Sequence, residues 1–516
     1  MRRLTFLLAL AAGGWLACTS VTAQETGNDA VPWPQFRGPD ASGVSPEGKL
    51  PVHFGPEKNV LWKTPVPPGH SSPCIWGGRI FLTSYDKVAQ KLETFCLERN
   101  SGRILWRHTA PTEKMENFHD YGSPAVATPA TDGLRIYVYF GSYGLLCYDL
   151  DGKEQWKKPL PLAETFQGNG TSPIVAGDLL LLNREFLPDP SLMAVNSLTG
   201  ETAWKQAREL ASLAGPNNGY STPVVWRHDG VEEVIIHSPT RVSAHNLKDG
   251  MERWSIRTSS SACTTPVIGD GLLFVVGYWV GTEPGESDPM PTFDDLLKKA
   301  DKNQDGQISE AEFPDDLDLF RRPEVPGTGL KLKFLFGGLD VNSDAQVSRV
   351  EMDANGDGQV SRVEWDKFLQ DVPKILGQVE NGLLAIKPGG KGNVTGTHVL
   401  WREKKALPEV PSPLHYGERI YLVRDGGIVT CLEAKTGRLL YRERLGPRGP
   451  YFASPVAGDG KVYAASRDGV VVVFAAGDEL KILARNDLDE LIAATPAPMG
   501  GKLYVRTEKH LYAFGE

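Results

Sequence analysis

The chain has 516 residues, 41% of them hydrophobic and 23% charged. These are ordinary globular values, with length for about two to four domains and a sizeable core. The net charge is −9 and the imbalance is local: 20 Asp+Glu stand against 11 Lys+Arg between 284 and 377, which leaves 44 of each sign elsewhere. That balance argues against nucleic acid or an anionic membrane surface as a partner.

Residues 1–23 come first in chain order. Arg2 and Arg3 make a basic n-region, Leu4 to Leu16 a short apolar stretch, and Val21-Thr22-Ala23 a small-residue cleavage motif. Together they predict a signal peptide and export to the periplasm or extracellular space. The apolar run is too short for a membrane span, and no later stretch reaches about 18 apolar residues. Cys18 after Ala17 raises a lipid anchor as an alternative; Trp15, where such signals carry Leu or Val, argues against it. Residues 24–57 form a leader that contains "WPQFRGPDASGVS", Trp33–Ser45.

From residue 58 the sequence repeats. Ser/Thr-Pro recurs at Ser72, Ser123, Ser172, Thr222, Thr265, Ser412, Ser454 and Thr495, mostly at intervals of 41 to 51 residues, with one interval of 147. Each unit reads as four short strands. The third ends in a small residue (Cys96, Cys147, Ala194, Ala244, Ala385, Cys431), a Gly turn follows, and the fourth carries an aromatic (Trp106, Trp156, Trp204, Trp254, Trp401, Tyr441). Four strands per unit of this length predict propeller blades. The last unit stops at Glu516 after its third strand, while "NVLWKTPV" from Asn59 has a fourth-strand pattern with no strands before it. Closing the ring with that segment gives an all-β, eight-bladed propeller without an open sheet edge. The slot shared by Cys96, Cys147 and Cys431 is small and buried, so these predict packed free thiols rather than disulfides.

The long interval predicts an insert at 284–377 that divides the propeller into 58–283 and 378–516. It begins with an EF-hand loop, which takes oxygen ligands at positions 1, 3, 5, 7, 9 and 12 with Gly at 6. Asp301, Asn303, Asp305, Gln307 (by its carbonyl), Ser309 and Glu312 fill those positions around Gly306. A thirteen-residue block then occurs twice in a row. Asp340, Asn342, Asp344, Gln346, Ser348 and Glu351 form one loop, with Ala345 in place of Gly; Asp353, Asn355, Asp357, Gln359, Ser361 and Glu364 form the next around Gly358. "LKLKFLF" reads as an entering helix and "VEWDKFLQDV" as an exiting one. A single helix on each side of two abutting loops predicts one working site here, at Asp353–Glu364. Calcium is the expected metal. Its role reads as structural, because the insert has no Met-rich target groove.

The blade "IYLVRDGGIVTCLEAKTGRLLYRERL" resembles the PQQ-like repeat, shared by quinoprotein dehydrogenases and by the BamB-type scaffold of outer-membrane protein assembly. The resemblance covers roughly 58–283 and 378–516, and the leader is similar to that of exported proteins of this type. A dehydrogenase would imply a Trp floor, a calcium beside the quinone, an Asp base and usually adjacent cysteines. The sequence has no Cys-Cys pair and no C-x-x-C-H haem site, which argues against PQQ as cofactor. No catalytic set emerges; His119 with Asp120 is an acid–base pair or a polar loop. A binding or assembly scaffold with a protein or cell-envelope partner is favoured, a funnel enzyme being the alternative. Segments leading into the Ser/Thr-Pro positions nominate His70, His119, Tyr121, Asn169, Asn218, Tyr220, Arg448 and Tyr451 as funnel ligands, unless Asn and Gly there merely make turns.

Overall fold

The computed structural model describes residues 30–516 except 120, 166, 211–217, 280, 282, 284–285, 287–288, 322–324, 326–328, 333–351, 354–356 and 377–379. The expected signal peptide and the loop Asp340–Glu351 therefore lie outside the described residues.

Eight sheets, each with four antiparallel strands, make the ring; the sheet of blade four gains a fifth, parallel strand, Gly392–Asn393, from the return segment of blade five. Blades one to four span 74–109, 130–159, 174–207 and 224–257; blade five is 267–277 with 382–403; blades six and seven span 414–444 and 456–487. Blade eight is 497–514, completed by Val60–Pro65, which pairs antiparallel with His510–Phe514. The chain's last and first strands thus share one sheet.

The repeat has a physical basis at each of its marks. In every blade the pairing of the third and fourth strands skips one residue, and the aromatic slot follows that skip directly, as at Leu105 before Trp106 and Leu400 before Trp401. Such a bulge re-aims the next side chain. The small third-strand residue lies opposite it: Cys96 faces Trp106, Ala194 faces Trp204 and Cys431 faces Tyr441. Burial pushes the Cys96 and Cys431 thiols up to about 12, so they pack as thiols. Trp62, Trp106, Trp156, Trp204 and Trp401 donate to the next blade, whereas Trp254 donates to Glu233 of its own. Trp106 Nε1 donates to the Leu150 carbonyl at 3.0 Å and Trp156 Nε1 to Ser197 at 3.0 Å. The turn glycines beneath them are required: a Cβ on Gly152 or Gly200 would sit 2.8 or 2.7 Å from the indole.

A closed circuit of hydrogen bonds circles the axis at the start of the first strands. Ser72 N–H donates to Thr128 Oγ1 (3.0 Å), Thr128 to Ser172 (2.9 Å), Ser172 to Thr222 (3.0 Å) and Thr222 to Thr265 (3.3 Å). Thr265 donates to Ser412 (3.0 Å), Ser412 to Ser454 (3.0 Å), Ser454 to Thr495 (3.0 Å), and Thr495 back to Ser72 (3.1 Å). This corrects the repeat register of blade two: its ring position is Thr128, before Pro129, and not Ser123. A backbone donor and a side-chain acceptor from each blade explain why every unit keeps Ser or Thr there.

The leader crosses one end of this axis. Its Trp33 bridges Ile75 in blade one, Ala41 packs on Val224 and Trp226 in blade four, Val44 bridges Ala457 in blade seven, and the Phe54 ring lies 4.7 Å from Phe514 in blade eight, tilted by 33°. The insert leaves blade five after Leu272–Gly277 and returns at Gly382–Ile386, interrupting one hairpin.

Candidate functional site

Two places gather the residues nominated by the sequence. In the insert, helix Phe293–Ala300 leads into the loop at Asp301 and is capped by Thr292, whose hydroxyl accepts from Asp295 N–H. Helix Arg362–Leu376 leaves the loop at Asp353. The two loops pair: Ile308 lies opposite Val360 and Ser309 opposite Gln359 in a short antiparallel ladder. Beneath it Phe293, Leu296, Phe313, Trp365 and Phe368 form a core of the insert's own, and Trp365 Nε1 donates to the Pro291 carbonyl at 3.0 Å. The segment read as an entering helix begins differently, since Gly329–Lys331 is a strand paired with Asp318–Arg321. That pairing uses Leu330 and Lys331 as a ladder rather than a helix face, and 333–336 lie outside the described residues.

The loops have matching polar geometry. Asp301 Oδ2 accepts from Gly306 N–H at 3.0 Å, and Asp353 Oδ2 from Gly358 N–H at 2.8 Å. Asp305 and Asp357 each accept from the Gln two residues on, at 2.8 and 2.9 Å. Glu312 Oε2 accepts from Ser309 N–H and Oγ–H, and Glu364 Oε2 likewise from Ser361. Those bonds, the Ser309 hydroxyl's above all, lower the pKa of Glu312. Gly306 and Gly358 both have φ of +81°, the left-handed turn that position 6 needs. The carboxylates cap N–H groups of their own loops, and among the described residues no three His, Cys, Asp or Glu side chains converge on one point. The donor set of carboxylates, Asn303, a carbonyl and serine hydroxyls is all oxygen, which fits calcium. Asn355 lies outside the described residues.

At the open end of the ring the funnel nominees divide. Tyr121, 46% exposed, stacks on His119 at 5.4 Å and meets Phe452 of the far side edge-on at 6.0 Å. The Arg467 guanidinium lies over both rings, 4.9 Å from Tyr121 and 5.6 Å from Phe452. His70 is crowded by Arg506 and Arg467, and burial foremost, then these charges, brings its pKa down to about 4, so it is neutral at pH 7. Asn218 and Tyr220 form a separate group, joined at 3.3 Å, with Tyr220 packed on Phe186. Tyr451 is fully buried in the core between blades six and seven, and Arg448 is exposed. Asn169 is buried, and its N–H donates to Glu116 Oε1 at 2.9 Å. Burial pushes Glu116 up to about 8. Sequence reasoning missed Phe452, Arg467 and Glu116. Arg467 sits in an ordinary hairpin turn, "SRDGV", so only its neighbours across the ring mark it.

The model of the family described as outer membrane protein assembly factor BamB matches residues 95–281 and 346–507, more than half of the chain. The chain belongs to this family. An EF-hand family model also matches residues 293–313, the first loop and its leading helix. A BamB of Yersinia pestis is 23% identical over 265 residues, which are 46% of this chain and 60% of that protein, so the match spans less than two thirds of the relative. Among solved structures, a europium-containing methanol dehydrogenase superposes with TM-score 0.52 at 12% identity, covering 94% of this chain and 98% of that one. A quinohemoprotein alcohol dehydrogenase from Comamonas testosteroni gives 0.51 at 11% identity, covering 94% and 81%. At such identity these likenesses establish the fold alone. For a BamB-family chain, an insert between the second and third strands of blade five is compatible with an intact ring, since both strands keep their ladder.

Proposed function

We propose that this protein is an exported cell-envelope scaffold that receives a protein partner at the mouth of its propeller and carries structural calcium in the insert. Membership of the BamB family supports the scaffold. The paired loops support the calcium: two oxygen-rich loops with the same hydrogen bonds, joined by a ladder at position 8, form the arrangement in which two bound ions stabilise one another's loops. The observation that carries the choice of surface is the Arg467 guanidinium held between Tyr121 and Phe452. Two rings and a cation across the mouth offer a partner an apolar contact and a charged hydrogen-bond donor at one spot.

A photo-crosslinking residue in place of Tyr121 tests this in the producing cells. The expected result is a discrete adduct with one envelope protein that disappears with Arg467→Ala. No adduct, or an adduct equally abundant in Arg467→Ala and when the probe replaces the exposed Val88, would refute the mouth as the partner surface.

A further inference from the structure

Arg37 is fully buried, and only its Nη2 is satisfied, donating to the Ser42 carbonyl at 3.3 Å and the Pro413 carbonyl at 2.7 Å. Its Nε–H and Nη1–H have no partner, and no carboxylate pairs with it among the described residues. Arg184 and Arg506 are also buried without a carboxylate pair among the described residues and leave Nε unpartnered, but both of their Nη groups donate, whereas Arg37 Nη1 does not. Arg208 lies 2.9 Å from Glu185, and Arg424 is clamped by Glu283 and Glu286. Arg506 lacks a carboxylate but donates to the Ser71 carbonyl and hydroxyl and to Pro67.

The position of Arg37 is equally unusual. Pro34 accepts hydrogen bonds from Cys74 Sγ and Thr131 N–H in blades one and two, whereas the Arg37 guanidinium bonds Pro413 in blade six, on the opposite side of the ring. The four residues from Pro34 to Arg37 therefore join blades on opposite sides of the ring. Pro413 follows Ser412, a member of the hydroxyl circuit, so the guanidinium bonds the residue next to that circuit. Each circuit hydroxyl already accepts a backbone N–H, and among the described residues none of the eight donates its own proton to a protein acceptor. Circuit residues are at most 4% exposed. Trp33 Nε1, in the same leader, is also buried without a partner. The leader end of the channel thus presents donors without matching acceptors, and one full positive charge without a counter-charge.

We propose that this end of the channel holds a small monovalent inorganic anion, halide-sized, between the Arg37 guanidinium and the hydroxyl circuit. Neutral water would satisfy the hydrogen bonds but leave a desolvated charge uncompensated, which is costly. An anion supplies both. The burial of the surrounding residues limits the occupant to a small ion. Burial also draws the Arg37 pKa down to about 9, which leaves it cationic at pH 7.

Bromide is the probe. Crystals of the full protein in sodium bromide should show an anomalous peak in contact with Arg37 Nε or Nη1. In solution, the melting temperature should rise by about 1 °C per tenfold increase in bromide, with sodium gluconate holding ionic strength constant. Arg37→Met should remove the bromide dependence. If that variant does not fold, the anomalous map of the wild-type protein decides. No peak at Arg37 in a crystal whose surface sites are occupied, or melting that is indifferent to exchanging bromide for gluconate, would overturn the proposal.

Discussion

At the scale of single residues, the fold depends on side chains whose neighbours come from distant parts of the chain. Glu116 shows what burial does to acid–base behaviour. It is 2% exposed, accepts from Asn169 N–H and lies 3.2 Å from Ser142 Oγ, and its pKa is pushed up to about 8. In the unfolded chain the carboxyl ionises near its ordinary value, so between about pH 4.5 and 8 the unfolded state binds fewer protons than the folded one. Stability from this group is therefore whole below that window and declines as pH rises through it, by at most about 1.4 kcal/mol per pH interval of one. Glu116→Gln keeps an acceptor for Asn169 and a donor for Ser142. It should remove that decline, so melting temperatures of wild type and variant converge at pH 5 and the variant melts higher at pH 8. Parallel curves for the two would contradict this. The proposed calcium ligands give a second residue-scale prediction. Position 12 closes an EF-hand loop with a bidentate carboxylate. Glu364→Gln should abolish one of two calcium sites in calorimetric titration, and Glu351→Gln should leave both. The reverse pattern would make the first copy of the repeated block the working loop.

Elements follow from the repeat, and here the sequence was most legible. The small residue, Gly turn and aromatic recur because most blades share a compact third strand, a turn open above a ring, and a bulge that re-aims that ring; blade seven, with Val473 opposite Ala484, keeps the bulge without the aromatic. These are local demands, so they leave local marks. Legibility failed where the deciding contact is remote. Ser123-Pro124 and Thr128-Pro129 look alike in sequence, and only the circuit to Ser72 and Ser172 selects Thr128. Tyr451 and Phe452 are adjacent, yet the first enters the core and the second faces Tyr121 and Arg467. Both lie in the loop before the strand Val456–Gly458, where no strand period tells from "RGPYFASP" alone which of them turns inward. The insert's edge is a further case. Glu286 lies within 284–377, but it contacts Arg424 and Tyr278 of the ring and accepts from Gly281 N–H at 3.0 Å. Replacing 287–377 by a Gly/Ser linker should leave a soluble, folded β-protein. Replacing 284–377 strips one carboxylate from a buried arginine and should melt lower by an amount reflecting about 3 kcal/mol. Equal melting of the two would show that the Glu286 clamp contributes nothing, and insolubility of both would make the insert part of the ring's core.

For the whole molecule, closure is the organising fact. The ring is sealed by Val60–Pro65 on His510–Phe514, by the hydroxyl circuit, and by a leader that touches blades on opposite sides. One end of the axis is covered and the other is bordered by Tyr121, Phe452, Arg467 and His70. Eight blades were countable in the sequence because the orphan first strand and the missing last one complement each other. What the mouth binds was not, because the BamB-type repeat fixes a ring and leaves its loops free to vary. The central claim is a scaffold with calcium in its insert, as opposed to an enzyme with a quinone in its funnel. Native mass spectrometry of the intact protein, isolated from its own envelope and paired with its absorbance spectrum, tests it most directly. The account predicts the chain with two calcium ions and no organic cofactor. A mass increment accompanied by quinone absorbance would contradict it.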